Sequence, residues 1–150
     1  MPQSLSKMYA HAIFSTKGRI PFLQPSWRDE LYKIIGGSLN NLGSRSMLIG
    51  GVEDHVHLLF VLSRTVTIAD TMGTIKQASS SWVNEQQKTP TTFAWQAGYA
   101  IFSVSQSSVN AVRKYIDNQA KHHQKQTFQD ELRKWLTKYE EEFDERYLWD

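Results

Sequence analysis

The stretch "SMLIGGVEDHVHLLFVLS", residues 46–63, decides how the chain is read. It holds two apolar runs, 46–52 and 55–63, joined by a link too short to contain a helix. Such a link predicts an antiparallel hairpin. The second run is apolar on both faces, which predicts a strand in the middle of its sheet. Two histidines, His55 and His57, interrupt that run. Residues two apart on a strand project from the same face, so both imidazoles stand side by side on a rigid platform.

Outward from the hairpin, the periodicity alternates between strand and helix. Residues 6–16, "SKMYAHAIFST", read as a first strand. Ser26 is placed to cap a helix carrying Trp27, Leu31, Ile34, Ile35, Leu39 and Leu42 on one stripe, stopped by Gly43. After the hairpin, Thr67 is placed to start a second helix with Ile68, Met72, Ile75 and Trp82 on its buried stripe. Residues 98–105, "GYAIFSVS", read as a fourth strand. Ser107 or Ser108 then caps a third helix predicted to run to about His123. Thr127 and Asp130 mark the start of a last amphipathic helix through Phe128, Leu132, Trp135, Leu136, Tyr139 and Phe143. The first six elements, β-α-β-β-α-β, predict an α+β fold of the ferredoxin-like, split β-α-β kind. Its four-stranded antiparallel sheet would carry helices on one face, with C-terminal helices added. With 150 residues, one domain over 1–150 is expected, its tail 127–150 forming the amphipathic helix.

Composition narrows the function. The chain has no cysteine, which excludes disulfides, thiolate metal sites and a cysteine nucleophile, and fits a reducing cytoplasm. No apolar run is long enough to cross a bilayer, and the first residues lack the apolar core of a signal peptide. The net charge is only +2, but residues 1–125 are basic on balance while "EEEFDERYLWD" at the end is acidic. A basic body suits a nucleic-acid partner. No Walker-type glycine-rich phosphate loop is present.

Neutral imidazole is a good ligand for a divalent cation, and His55 and His57 would supply two adjacent ligands with the remaining positions open. The bland alternative is two histidines packed at a strand end. Asp54 fits a turn residue better than a third ligand. The second constellation is "VRKYIDNQAKHH", residues 112–123, with Val109, Val112, Ile116 and Ala120 on the apolar stripe. Tyr115 and Gln119 are four apart and share a neighbouring stripe. A phenol can act as a nucleophile, and an amide oxygen can reach a hard cation. His122 and His123 could equally cap the helix end. The two constellations together suit one reaction, in which a metal polarises a phosphodiester and the tyrosine attacks phosphorus.

His55-Val56-His57 matches the His–hydrophobic–His motif, and "YIDNQAKHHQKQTFQDEL" and "FAWQAGYAIFSVSQSSV" resemble the corresponding regions of single-tyrosine transposases of insertion sequences, the IS200-like family. The resemblance runs from the first strand to about Leu132. It implies cutting and rejoining of single-stranded DNA at element ends through a 5′-phosphotyrosine linkage that leaves a free 3′ hydroxyl. It implies Tyr115 as nucleophile, with His55, His57 and Gln119 holding Mg²⁺ or Mn²⁺. It implies no nucleotide cofactor, and the lack of a Walker-type loop agrees with this. It further implies a homodimer with sheets joined across the interface, recognition of DNA hairpins, and a cytoplasmic, nucleoid-associated location in a bacterium. Two other readings stay open: a domesticated enzyme of the same chemistry that processes chromosomal repeats, and a non-catalytic nucleic-acid-binding module with structural histidines.

Lys7, Lys17, Arg19, Arg45, Lys76, Lys121 and Lys125 are candidate phosphate contacts, since basic side chains bind any nucleic-acid backbone without reading sequence. Trp95, Tyr99 and Phe102 are candidate base-stacking residues, with core packing the stronger expectation for Phe102.

Overall fold

Four strands form one antiparallel sheet in the order β2-β3-β1-β4 in the computed structural model, which describes residues 2–119 and 126–150. The strands are β1 (Tyr9–Ser15), β2 (Arg45–Gly51), β3 (His55–Val61) and β4 (Ala100–Val104). The expected hairpin joins β2 to β3, and β3 is central, flanked by β2 and β1. This is the predicted ferredoxin-like arrangement.

Alternation along β3 divides the molecule. Val56, Leu58 and Phe60 enter a core shared with Ala10, Ala12 and Phe14 of β1 and with helices α1 (Arg28–Asn41) and α2 (Ile68–Glu85). Leu59 belongs to the opposite face, packed with Val104 and with Val109, Val112 and Ile116 of α3 (Val109–Asp117). The same face carries Ile13 and Phe102 under Phe128, Leu132, Trp135 and Leu136 of α4 (Phe128–Lys138). The first two helices therefore cover one face and the C-terminal helices the other.

Some local expectations are corrected. Ser26 does not cap α1; Trp27 takes that position without a side-chain cap bond, and the chain enters the helix through a tight turn at residues 25–27. Thr67 and Thr127 do cap their helices, accepting from the main-chain N–H groups of Asp70 and Asp130. Ile68 is exposed, and the buried stripe of α2 is Thr71, Met72, Ile75, Ser79 and Val83. Helix α3 stops at Asp117 rather than near His123, since Asp117 and Asn118 compete with the helix for backbone hydrogen bonds and an acidic group opposes the dipole at that end. Ala120, His122 and His123 lie outside the described residues. Helix α4 stops at Lys138, before Phe143, where the acidic run that begins at Glu140 is unfavourable at a helix C-terminus. No described helix is long and apolar enough to cross a membrane.

One glycine sets the spacing of the site. Gly50 on β2 pairs with His57, and a Cβ placed there would lie 2.8 Å from Cγ2 of Ile116. Its missing side chain lets α3 settle directly on the sheet, which puts Tyr115 above the histidine pair.

Candidate active site

His55 and His57 stand on the α3–α4 side of β3, both fully buried. Their rings are 5.2 Å apart, and Tyr115 lies 5.6 Å from the His57 ring. Gln119, two residues past the end of α3, has its amide oxygen 3.3 Å from Nε2 of His55. The four residues that sequence and resemblance singled out thus converge.

The centre of the cluster is a residue that the sequence reading did not single out. Glu131, in the first turn of α4, is 1% exposed. Its carboxylate oxygens lie 3.2 Å from Nε2 of His55 and 2.9 Å from Nε2 of His57. One of them also accepts the hydroxyl of Tyr115 and, at 3.2 Å, the amide N–H of Gln119. Nothing local marks Glu131, because an acidic residue in a first helical turn reads as a solvated partner of the dipole.

Two further side chains orient the histidines. Asp54, in the hairpin turn as expected, lies 2.7 Å from Nδ1 of His55 and so turns Nε2 inward. His11 on β1, fully buried, brings Nε2 to 2.8 Å from Nδ1 of His57. That contact directs the Nε2 of His57 towards Glu131. His11 could have been suspected from its alternation with Ala10 and Ala12, which face the other core. Trp135 closes the cluster from above, edge-on to both His11 and Tyr115 at 4.8 Å and 5.3 Å between ring centres.

The electrostatics follow from burial and from these carboxylates. Burial pulls the His55 pKa down, but hydrogen bonds to Asp54 and Glu131 outweigh it and lift it to about 9. Burial, joined by repulsion from His57, holds His11 well below the usual histidine range. Burial and the adjacent Glu131 carboxylate push the Tyr115 phenol well above the usual tyrosine range. In this state the phenol holds its proton tightly.

The donors fit a divalent cation. Ligand atoms of His55, His57 and Glu131 all lie within 4.8 Å of one another, and the Gln119 amide oxygen adds a fourth donor beside His55. Two imidazoles with a carboxylate and an amide oxygen make a mixed nitrogen–oxygen donor set of the kind that takes a divalent cation.

The basic residues are more scattered. Lys17 and Arg19 form a short 3₁₀ turn after β1, at the sheet end where Ser15 pairs with His55. Lys7 and Arg45 are exposed at the opposite sheet end. Lys76 is half-buried, and its ammonium donates to the carbonyls of Gln96, Ala97 and Gly98, so its donors are committed within the chain. Lys121 and Lys125 lie outside the described residues. Trp95 and Phe102 are buried in the two cores, and only Tyr99 of the three suggested stacking residues is exposed.

Comparison with known proteins follows the same outline. Residues 4–119 match the family model described as "Transposase IS200 like". No curated protein matches the chain. Among solved structures, a protein of Deinococcus radiodurans R1 provisionally assigned as a transposase is 25% identical, with a TM-score of 0.62, covering 79% of this chain and 98% of its own. A REP-associated tyrosine transposase bound to a REP hairpin has the same fold at 12% identity, with a TM-score of 0.56, covering 81% of this chain and 73% of its own.

Proposed function

The chain belongs to the IS200-like transposase family, and from that premise we propose that it cleaves and rejoins single-stranded DNA through a covalent tyrosine intermediate. The observation that carries the reading is the convergence of Tyr115 on His55, His57 and Glu131 in one buried cluster. A hydrolytic nuclease would need no phenol there.

In this reading His55, His57 and Glu131, with the Gln119 amide oxygen, hold Mg²⁺ or Mn²⁺. A bound divalent ion would withdraw charge from a phosphodiester oxygen and so make phosphorus more electrophilic. Tyr115 attacks phosphorus as the bond to the 3′ oxygen breaks. Its phenolic proton has an acceptor in Glu131, to which it already donates. The 3′ oxygen leaves as a hydroxyl after taking up a proton, and the DNA stays joined to Tyr115 through its 5′ phosphate. Rejoining is the reverse attack by a 3′ hydroxyl and needs no nucleotide cofactor. Asp54 and His11 keep the imidazoles turned inward.

The substrate we propose is an insertion-sequence end folded as a DNA hairpin. The hairpin bound to the REP-associated relative supports folded DNA as a ligand for this fold. A homodimer with joined sheets belongs to the same proposal, as do Lys17 and Arg19 as phosphate contacts near the histidine end of the sheet.

Labelled single-stranded element-end DNA incubated with Mn²⁺ or Mg²⁺ tests the reading. Cleavage is expected for the wild type and absent in Tyr115→Phe and without metal. Equal cleavage by Tyr115→Phe would overturn it.

A further inference from the structure

A cleft of about 750 Å³ opens between α3, α4 and the end of β4, and Tyr115 forms part of its wall. Its floor is aromatic, made by Tyr139 and by Trp135, which is 8% exposed and has the Lys138 ammonium 5.0 Å over its ring, with Val112 on the α3 side. Lys134 and Lys138 stand one turn apart on the exposed face of α4 and line it. No acidic residue lines the cleft, and neither lysine makes an ion pair among the described residues. The neighbouring Arg133, by contrast, is paired with Asp130 and Glu145. Lys134, Trp135, Lys138 and Tyr139 follow position 119, where the match to the transposase family ends.

We propose that this cleft seats the segment of single-stranded DNA next to the phosphate that Tyr115 attacks. The proposal rests on the reading of Tyr115 given above and extends it to the path of the substrate. Three features match one occupant. The two lysines supply positive charge for a phosphate backbone. Aromatic and apolar surface below them suits unpaired bases, which a duplex would keep stacked away. Tyr115 lines the cleft, so a strand lying in it passes beside the nucleophile candidate. Its size lies within the range of ligand-binding clefts. A folded duplex would meet the lysines but leave the aromatic floor unused.

The test uses binding rather than cleavage. Tyr115→Phe is the parent, so that no chemistry intervenes, and a fluorescein-labelled single-stranded oligonucleotide is followed by anisotropy. In the parent, Lys134→Glu with Lys138→Glu is expected to weaken binding at least tenfold and to flatten its salt dependence by about two units of slope. Ala111→Trp, at an exposed position on the cleft wall, should fill the space and weaken binding while the fold is retained. Lys33→Glu, on the exposed side of α1, should change nothing. Oligonucleotides carrying 5-iodouracil beside the cleavage site should cross-link to Tyr139 on irradiation. Unchanged affinity in both cleft variants, or cross-links confined to other peptides, would overturn the proposal. A wild type that forms no covalent adduct while the cleft variants still lose binding would instead refute the tyrosine chemistry and leave the cleft standing.

Discussion

The phenol of Tyr115 and the carboxylate of Glu131 are hydrogen-bonded to each other across two different helices, directly over His55 and His57. The bond ties the nucleophile candidate to the group that also faces both imidazoles. It makes α4 part of the site rather than a cover for it.

Glu131→Gln keeps the shape of the side chain and removes its charge. The three-residue ligand cluster then loses its only carboxylate. Mn²⁺ affinity, read by calorimetry, should fall at least tenfold. Unchanged affinity would remove Glu131 from the ligand set.

His11 acts through His57. A metal on the Nε2 of His57 requires the proton on Nδ1, and His11 Nε2 is placed to accept it. His11→Leu should lower metal affinity by roughly 10–100-fold, and His11→Gln, which retains an acceptor, should restore part of it. Equal affinity in the leucine variant would make His11 a packing residue only.

In the proposed site, a proton and a metal ion would compete for His55. Its pKa, lifted from 6.5 to about 9 in the metal-free protein, means that the folded state holds the proton more tightly than the unfolded chain. This contribution to stability is fully present below 6.5 and is lost as pH rises through about 9. Metal affinity should run the other way, gaining about tenfold per pH unit up to that point as His55 gives up its proton. A flat affinity between pH 6.5 and 8.5 would contradict this.

Gly50→Val places a branched side chain where Cβ alone would already lie 2.8 Å from Ile116. Helix α3 must lift, carrying Tyr115 away from the histidines. Denaturant unfolding should show a loss of about 1–3 kcal/mol, accompanied by weaker cleavage. Wild-type stability would mean that α3 tolerates displacement.

Much of this arrangement is legible in the chain because it rests on short-range patterns. The hairpin link, the doubly apolar β3 and the two-residue spacing of His55 and His57 each dictate local geometry. The threonine caps of α2 and α4 are equally local. Glu131 and His11 are not legible in this way. Each looks ordinary among its neighbours and acquires its role from the packing of α4 and β1 against β3. Lys76 is a related case, since its sequence context suggests an exposed cation, while the 96–98 loop folds back to supply three carbonyl acceptors. The early end of α3 depended on the weak helix preference of Asp117 and Asn118, which the apolar stripe outweighed in the sequence.

The most direct test of the central claim is to isolate the protein–DNA adduct and locate the attached nucleotide. Wild-type protein is incubated with single-stranded element-end DNA and Mn²⁺, denatured, digested with nuclease and protease, and analysed by mass spectrometry. The account predicts a 5′-linked nucleotide on the peptide containing Tyr115, absent without metal. A nucleotide on any other residue, or cleavage with no adduct at all, would contradict it.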